Sequence, residues 1–165
     1  MVDAQTGALP AATVHRSWAA DLPAATLYAI LRVRVDVFVV EQACAYAELD
    51  GRDLEPQTRH YWLDVPNAVE PDAPEVVGCA RLLAEPGGGL RIGRLCTAAS
   101  VRGRGLGRRL MAAVLAEVGD GACVLEAQTH ASAFYRGYGF EQVGEPYDWD
   151  GVEHVTMRRV LGPDA

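Results

Sequence analysis

Residues 90 to 118 read Leu90-Arg91-Ile92-Gly93-Arg94-Leu95-Cys96-Thr97, then Ala98-Ala99-Ser100-Val101, then Arg102-Gly103-Arg104-Gly105-Leu106-Gly107, and then Arg108-Arg109-Leu110-Met111-Ala112-Ala113-Val114-Leu115-Ala116-Glu117-Val118. An apolar strand-like run leads into a glycine-rich bend, and an apolar-periodic helix follows it. The three glycines let the backbone turn tightly and approach a ligand closely, while the helix presents its unpaired first-turn N–H groups and the positive end of its dipole. Arg102, Arg104, Arg108 and Arg109 crowd this same end, where a cation is disfavoured by roughly 0.3–1 kcal/mol and like charges repel. A bound polyanion reverses both signs, so the junction is predicted to cradle a phosphate.

Downstream of helix 107–118, the short apolar run Ala122 to Ala127 predicts a strand buried on both faces and parallel to its neighbour, which makes one βαβ unit. A short helix from Ala131 to Tyr138 is stopped by Gly139, and strands at Glu141 to Trp149 and His154 to Leu161 pair across Asp150-Gly151. Upstream, Glu85 to Gly89 is a turn, and Val76 to Leu83 and His60 to Val65 are strand-like runs separated by the Pro-rich stretch 66–74. Asp21 is predicted to cap a helix carrying Leu27, Ile30, Leu31, Val35 and Phe38 on one face, and His15 to Ala20 precedes it as a first strand. The class is mixed α/β, one domain over residues 14–161, with Ala/Gly/Pro-rich tails at 1–13 and 162–165.

The chain has 165 residues, is 50% hydrophobic and carries a formal charge of −7. It is long enough for one well-filled core, and the acidic balance argues against a nucleic-acid binder, which needs a basic face. All 15 basic residues are arginine. Without a lysine, neither a Walker A loop nor a pyridoxal-phosphate Schiff base can be built. A dinucleotide fingerprint read from Gly103 meets Arg108 where its third glycine belongs. Cys44, Cys79, Cys96 and Cys123 show no paired metal spacing and read as free thiols, so no metal site is expected. The N-terminal stretch has no positive charge before Arg16 and no long apolar run, which predicts neither a secretory signal nor a membrane span and a cytoplasmic protein.

Two separated segments resemble the GNAT superfamily of acyl-CoA N-acyltransferases, and more narrowly its ElaA-like branch. Leu95-Cys96-Thr97 followed by Arg102 to Gly107 matches that superfamily's strand and Arg/Gln-x-x-Gly-x-Gly/Ala pyrophosphate loop. Ala131 through Phe134-Tyr135 to Gly139-Phe140 matches the segment that ends in Gly-Phe with a tyrosine four residues before the glycine. Arg34 through Val37-Phe38-Val39-Val40-Glu41-Gln42, Asp50-Gly51, His60, Gln128 and His130 carry the ElaA-like likeness. Ala99 stands where the superfamily often has proline, and Gln128 where it often has asparagine.

The resemblance implies a central twisted sheet flanked by helices, with two parallel strands splayed at a cofactor cleft. It implies acetyl-CoA as acyl donor, held by Leu95, Cys96, Thr97, Arg102, Gly103, Arg104, Gly105, Leu106, Gly107, Arg108 and Gln128. The pyrophosphate would lie on the backbone N–H groups of residues 103 to 108, and the pantetheine arm would pair along Leu95 to Thr97 like an added strand. A free N–H there would polarise the thioester carbonyl. Tyr135 would protonate the departing thiolate. An acceptor amine of pKa about 10.4 costs roughly 4.6 kcal/mol to deprotonate at pH 7, so a base is expected. Glu126 is the first candidate, with an arginine-paired carboxylate as its alternative reading; Glu41 and His60 are the others, and Glu41, His60 and His130 are the expected acceptor-side residues. His15 and His154 carry no signal. Two acidic stretches, Glu41 to Glu55 and Glu141 to Glu153, would draw in a cationic amine if they flank the acceptor side. The function expected is N-acetyl or short-acyl transfer to a primary amine of a small molecule or peptide in a ternary complex, with no nucleic-acid or membrane partner and a homodimer left open. The alternatives are an acyl-CoA-binding module or sensor without turnover, and a longer-chain N-acyl amino acid synthase.

Overall fold

The computed structural model describes residues 11–67, 69–70 and 72–159. The expected C-terminal tail and the first ten residues of the N-terminal one lie outside them. Residue 13 is no part of a loose tail, because it opens the first strand and pairs with Asp64.

Strands β1 (Thr13–Trp18), β2 (Arg59–Val65), β3 (Glu75–Ala84), β4 (Leu90–Thr97), β5 (Cys123–Gln128), β6 (Glu141–Trp149) and β7 (Val152–Arg159) form one sheet in the order β1-β2-β3-β4-β5-β7-β6. Helices α1 (Ala24–Val35), α2 (Leu106–Val118) and α3 (Ser132–Arg136) flank it. The turn between β6 and β7 is made by Asp150 (φ 52°) and Gly151 (φ 83°), the double left-handed geometry that a two-residue hairpin loop prefers.

Helix α2 buries Leu106, Leu110, Met111, Val114 and Val118, a stripe at helical spacing that covers one face of the sheet. Each such side chain contributes about 1.5–3 kcal/mol on burial, so the five together hold the helix on the sheet. On the opposite face, α1 packs Ile30, Val33 and Val37 against Cys79 and Cys96. Asp21 does not cap α1. It closes a 3-10 turn, Ala19–Asp21, and the helix starts instead after Pro23. Beyond Val35 the chain widens into a π-helical turn, Asp36–Glu41, with Gln42 N–H donating to Val37 O at 3.3 Å and Cys44 N–H to Val39 O at 3.2 Å.

The functional consequence lies between β4 and β5. They run parallel and pair only from Leu90–Ile92 against Cys123–Leu125; past Ile92 they part. β5 is therefore not buried on both faces as expected: Cys123, Leu125 and Ala127 are buried, while Val124, Glu126 and Gln128 are only half-buried. On the other edge of β4, the register with β3 slips between Cys79↔Cys96 and Arg81↔Gly93. Arg94 and Leu95 thus stand together opposite Ala80, a β-bulge that bends β4 away from β5.

Candidate active site

The gap between β4 and β5 opens into a cleft of about 1240 Å³. Leu95, Cys96, Thr97 and Arg102 line it from the β4 side, Glu126, Gln128 and His130 from the β5 side, and Tyr135 from α3. Glu41 on the π-helical turn lines it as well. Most of the site residues expected from the sequence therefore converge on one cavity.

The glycine bend follows Arg102, which lines the cleft. Gly103 (φ 74°) and Gly105 (φ 77°) are left-handed, and a Cβ at either would meet nothing within 4 Å. Their requirement is conformational, and the space over the backbone is open to a ligand. α2 begins at Leu106 immediately after Gly105. Arg104 and Arg108 are exposed there. The other two arginines turn elsewhere, contrary to the expectation that all four crowd the helix end: Arg109 donates to Ala12 O at 2.7 Å, and Arg102 folds back over β4. Arg102 donates to Thr97 O through Nε at 3.0 Å and Nη2 at 2.9 Å, and pairs with both carboxylate oxygens of Glu41.

Tyr135 is held by edge-on packing against Phe134 (5.2 Å, 84°) and Phe140 (6.2 Å, 72°). Burial pushes its phenol up to about 12, with a smaller contribution from Cys96. It is a protonated hydroxyl at neutral pH.

Glu126 accepts hydrogen bonds from Arg91 Nη1 at 2.7 Å, Thr156 Oγ1 at 2.7 Å and the Tyr147 hydroxyl. Burial raises its pKa, yet the bonds from Tyr147, Thr156 and Arg91 together outweigh burial and hold the carboxyl below its usual range. This is the arginine-paired arrangement, a poor proton acceptor. Glu41 is likewise held below its ordinary value by the hydrogen bond from Arg102. His60 does not reach the cleft: it is 1% exposed, its Nε2 donates to Asp53 O at 2.9 Å, and burial depresses its pKa. His130 lines the cleft and is exposed.

The first acidic stretch turns inward. Arg34, fully buried, pairs with Glu48 (2.5 Å) and Asp53 (2.6 Å); Arg81 pairs with Asp50 (2.6 Å) and Asp53 (2.9 Å); Arg94 pairs with Glu48 (3.0 Å) and Asp50 (3.3 Å). Three arginines and three carboxylates neutralise one another beside the cleft, which Arg81, Arg94 and Asp50 line, so Glu48, Asp50 and Asp53 do not form the free anionic surface that the sequence suggested. They have a different use. Arg94 is a non-glycine residue with φ 55°, a strained conformation, and its side-chain ion pairs keep the bulge in place. In the second stretch, Glu141, Glu145, Asp148, Asp150 and Glu153 are all exposed.

Several residues that line the cleft carried no signal in the sequence reading. Tyr147, Trp149, Val152 and His154 belong to the β6–β7 hairpin, and Tyr147 and His154 are register partners. Their period of two on both sides of Asp150-Gly151 places them on one sheet face, a pattern visible in the sequence once the hairpin is drawn. The segment after the π-helical turn ties across to this side: Gln128 Nε2 donates to Gln42 Oε1 at 2.8 Å, and the Cys44 thiol donates to Asp150 O at 3.1 Å. Among the described residues, no cluster of His, Cys, Asp and Glu is arranged to hold a metal ion, and no helix is long and apolar enough to cross a membrane.

Comparison with known proteins agrees with this geometry. Residues 67–161 match the acetyltransferase (GNAT) domain family. A UPF0039 protein of Mycobacterium bovis is 49% identical over 149 residues, covering 88% of this chain and 92% of that one. Protein ElaA of Escherichia coli is 36% identical over 150 residues, covering 84% and 90%. The fold is similar to the crystal structure of an acyl-CoA N-acyltransferase from Pseudomonas aeruginosa, with a TM-score of 0.81 at 36% identity over 91% of this chain and 100% of that one.

Proposed function

The chain belongs to the GNAT family of acyl-CoA-dependent N-acyltransferases, and on that premise we propose that it moves an acetyl or other short acyl group from acyl-CoA to a primary amine of a small molecule or peptide within one ternary complex. The observation that carries this reading is the cleft opened by the parted edge of β4, with the Tyr135 side chain and Arg102 in its lining and the open glycine bend following Arg102 at the head of α2.

The chain's own groups divide the work. Backbone N–H groups of residues 103 to 108, with exposed Arg104 and Arg108, hold the pyrophosphate. The free edge of β4 from Leu95 to Thr97 orders the pantetheine arm through backbone hydrogen bonds, once Arg102 has left Thr97 O. Gln128 can join only by releasing Gln42. A backbone N–H at the β4 bulge polarises the carbonyl. The thioester supplies an activated acyl group and a sulfur leaving group, and Tyr135 gives that sulfur its proton.

A short acyl group suits the floor of the cleft. β4 and β5 close together again at Ile92 and Leu125, and the Arg91–Glu126 pair lies there. A long alkyl chain laid over that pair would strip its water without replacing it.

The reading is tested by incubating the protein with acetyl-CoA and a panel of primary amines and following free thiol release, with calorimetry of coenzyme A binding in parallel. Amine-dependent thiol release is expected, faster with acetyl-CoA than with octanoyl-CoA. Binding with slow hydrolysis alone across the panel would identify an acyl-CoA-binding module instead. No heat with coenzyme A would remove the nucleotide site itself.

A further inference from the structure

A basic amine acceptor must lose a proton before it attacks, and the carboxylates in the cleft are poorly placed to take it. Glu126 is held by three donors, Glu41 by Arg102 and Asp50 by Arg81 and Arg94, and Asp150 is exposed to solvent at the β6–β7 turn. His60 is buried in β2 and does not line the cleft. Two histidines remain in the cleft, His130 and His154.

They differ in how they are held. No hydrogen bond fixes the His130 ring among the described residues, and the residue is exposed. The His154 ring is fixed on several sides. Its Nδ1 lies 2.8 Å from Val152 O, and it stacks on Tyr147 (6.2 Å between centroids, 27°) and packs against Trp149 (5.6 Å, 57°). A carbonyl oxygen can only accept, so Nδ1 carries the hydrogen and the neutral ring keeps its lone pair on Nε2. Nε2 has no hydrogen-bond partner among the described residues. Tyr147, which braces the ring, is itself anchored on Glu126. His154 sits beside Gln128 in the β5–β7 register, two residues along the same face from Glu126. The imidazolium formed by proton uptake would thus lie near the Glu126 carboxylate.

We propose that His154 is the proton acceptor for the incoming amine, with Val152 O and Tyr147 as its positioning groups. This rests on the N-acyltransfer reading above. Nε2 takes one proton from the ammonium and leaves a free amine. As the C–N bond forms and the C–S bond breaks, the electron pair goes to sulfur, which takes the Tyr135 proton. The second proton of the attacking nitrogen returns to the tyrosinate, and His154 releases its own to solvent.

The test compares wild type with His154→Asn, His154→Gln and His154→Ala, using acetyl-CoA and two amines: one strongly basic, one weakly basic and already unprotonated at the assay pH. The Asn side chain can keep a donor on Val152 O while removing the basic nitrogen, which guards against loss of folding. With the basic amine, kcat should fall about 100-fold or more with the KM for acetyl-CoA unchanged. The weakly basic amine should lose far less, and added imidazole should restore turnover to the Ala variant. Activity within twofold of wild type, or an equal loss on both amines without imidazole rescue, would overturn the role of His154 while leaving the transferase reading intact. A wild-type protein inactive with every amine would overturn that reading and this inference with it.

Discussion

At the scale of single residues, chemistry depends on what each side chain touches, and Tyr135 and Glu126 show the two outcomes. Tyr135 is packed by two aromatic rings and has no charged partner among the described residues, so burial raises its phenol to about 12. A thiol of ordinary pKa, about 8.5, is the stronger acid in water. The same desolvation also penalises a thiolate, however, so protonation during departure is favourable. Tyr135→Phe should therefore lower kcat by about 10²–10⁴-fold and leave coenzyme A affinity within a factor of two or three, as read by calorimetry; an unchanged kcat removes Tyr135 from the mechanism. Glu126 occupies the position the sequence picked out for a base, on a strand that faces the gap. Its three donors arrive from β4, β6 and β7, and no reading of residues 122–128 reveals them.

At the scale of elements, the site depends on β4 being bent and closely backed. Gly78 on β3 faces it where a Cβ would come within 2.9 Å of Cys96 O, 3.1 Å of Thr97 Cγ2 and 3.4 Å of Leu110 Cδ1. A methyl there must push the cofactor strand. Overpacking of this kind costs roughly 1–3 kcal/mol, and each kcal/mol is worth about 2–4 °C at this size. Gly78→Ala should accordingly melt several degrees lower and bind coenzyme A more weakly, measured by thermal denaturation and calorimetry; a variant with wild-type melting and affinity would show that β4 position is not critical. The π-helical turn after α1 is the other element-level device. The β-branched run Val35, Val37, Val39, Val40 weakens the α-helical preference, and the widened turn brings Glu41 to Arg102. Helical periodicity predicts the apolar face of α1, but a change of pitch within it is invisible to a period fixed at 3.6.

At the scale of the whole molecule, one side of the cleft stands on a buried ionic cluster. Arg34→Met leaves Glu48 to Arg94 alone and Asp53 to Arg81 alone, so it removes two buried ion pairs and should destabilise by about 3–5 kcal/mol, seen as a lower urea midpoint; a loss under 1 kcal/mol would mean that Arg94 and Arg81 suffice to neutralise them. The pH response has two stages. Burial depresses the His60 pKa, so its stabilising contribution is complete above the unfolded value of about 6.5 and is lost as pH falls through the lower folded value. Burial opposes ionisation of Asp50 and Asp53, but the arginines outweigh it and hold both below the usual carboxylate range. Hydrogen bonding, led by Arg16, lowers Glu117 to about 2. These carboxylates stabilise the fold above about pH 4, and that stabilisation disappears below it. Urea midpoints should be level above pH 7, decline gently towards pH 5 and drop steeply below 4; a flat profile down to pH 3 would contradict the cluster.

The sequence by itself determined the βαβ unit, the glycine bend, the placement of Tyr135 and the hairpin across Asp150-Gly151. Each is written in local terms: periodicity, a glycine that must turn left-handed, or a motif with fixed spacing. Only the tertiary structure decided which charges are free. Arg34 meets Glu48 across 14 residues of chain, Arg91 meets Glu126 across 35, and Arg102 meets Glu41 across 61. It also buried His60 away from the cleft and brought His154 into it. An isolated carboxylate or imidazole looks the same in a sequence whether solvent or an arginine awaits it. Its partner is chosen by sheet order and register, and those are properties of the whole chain.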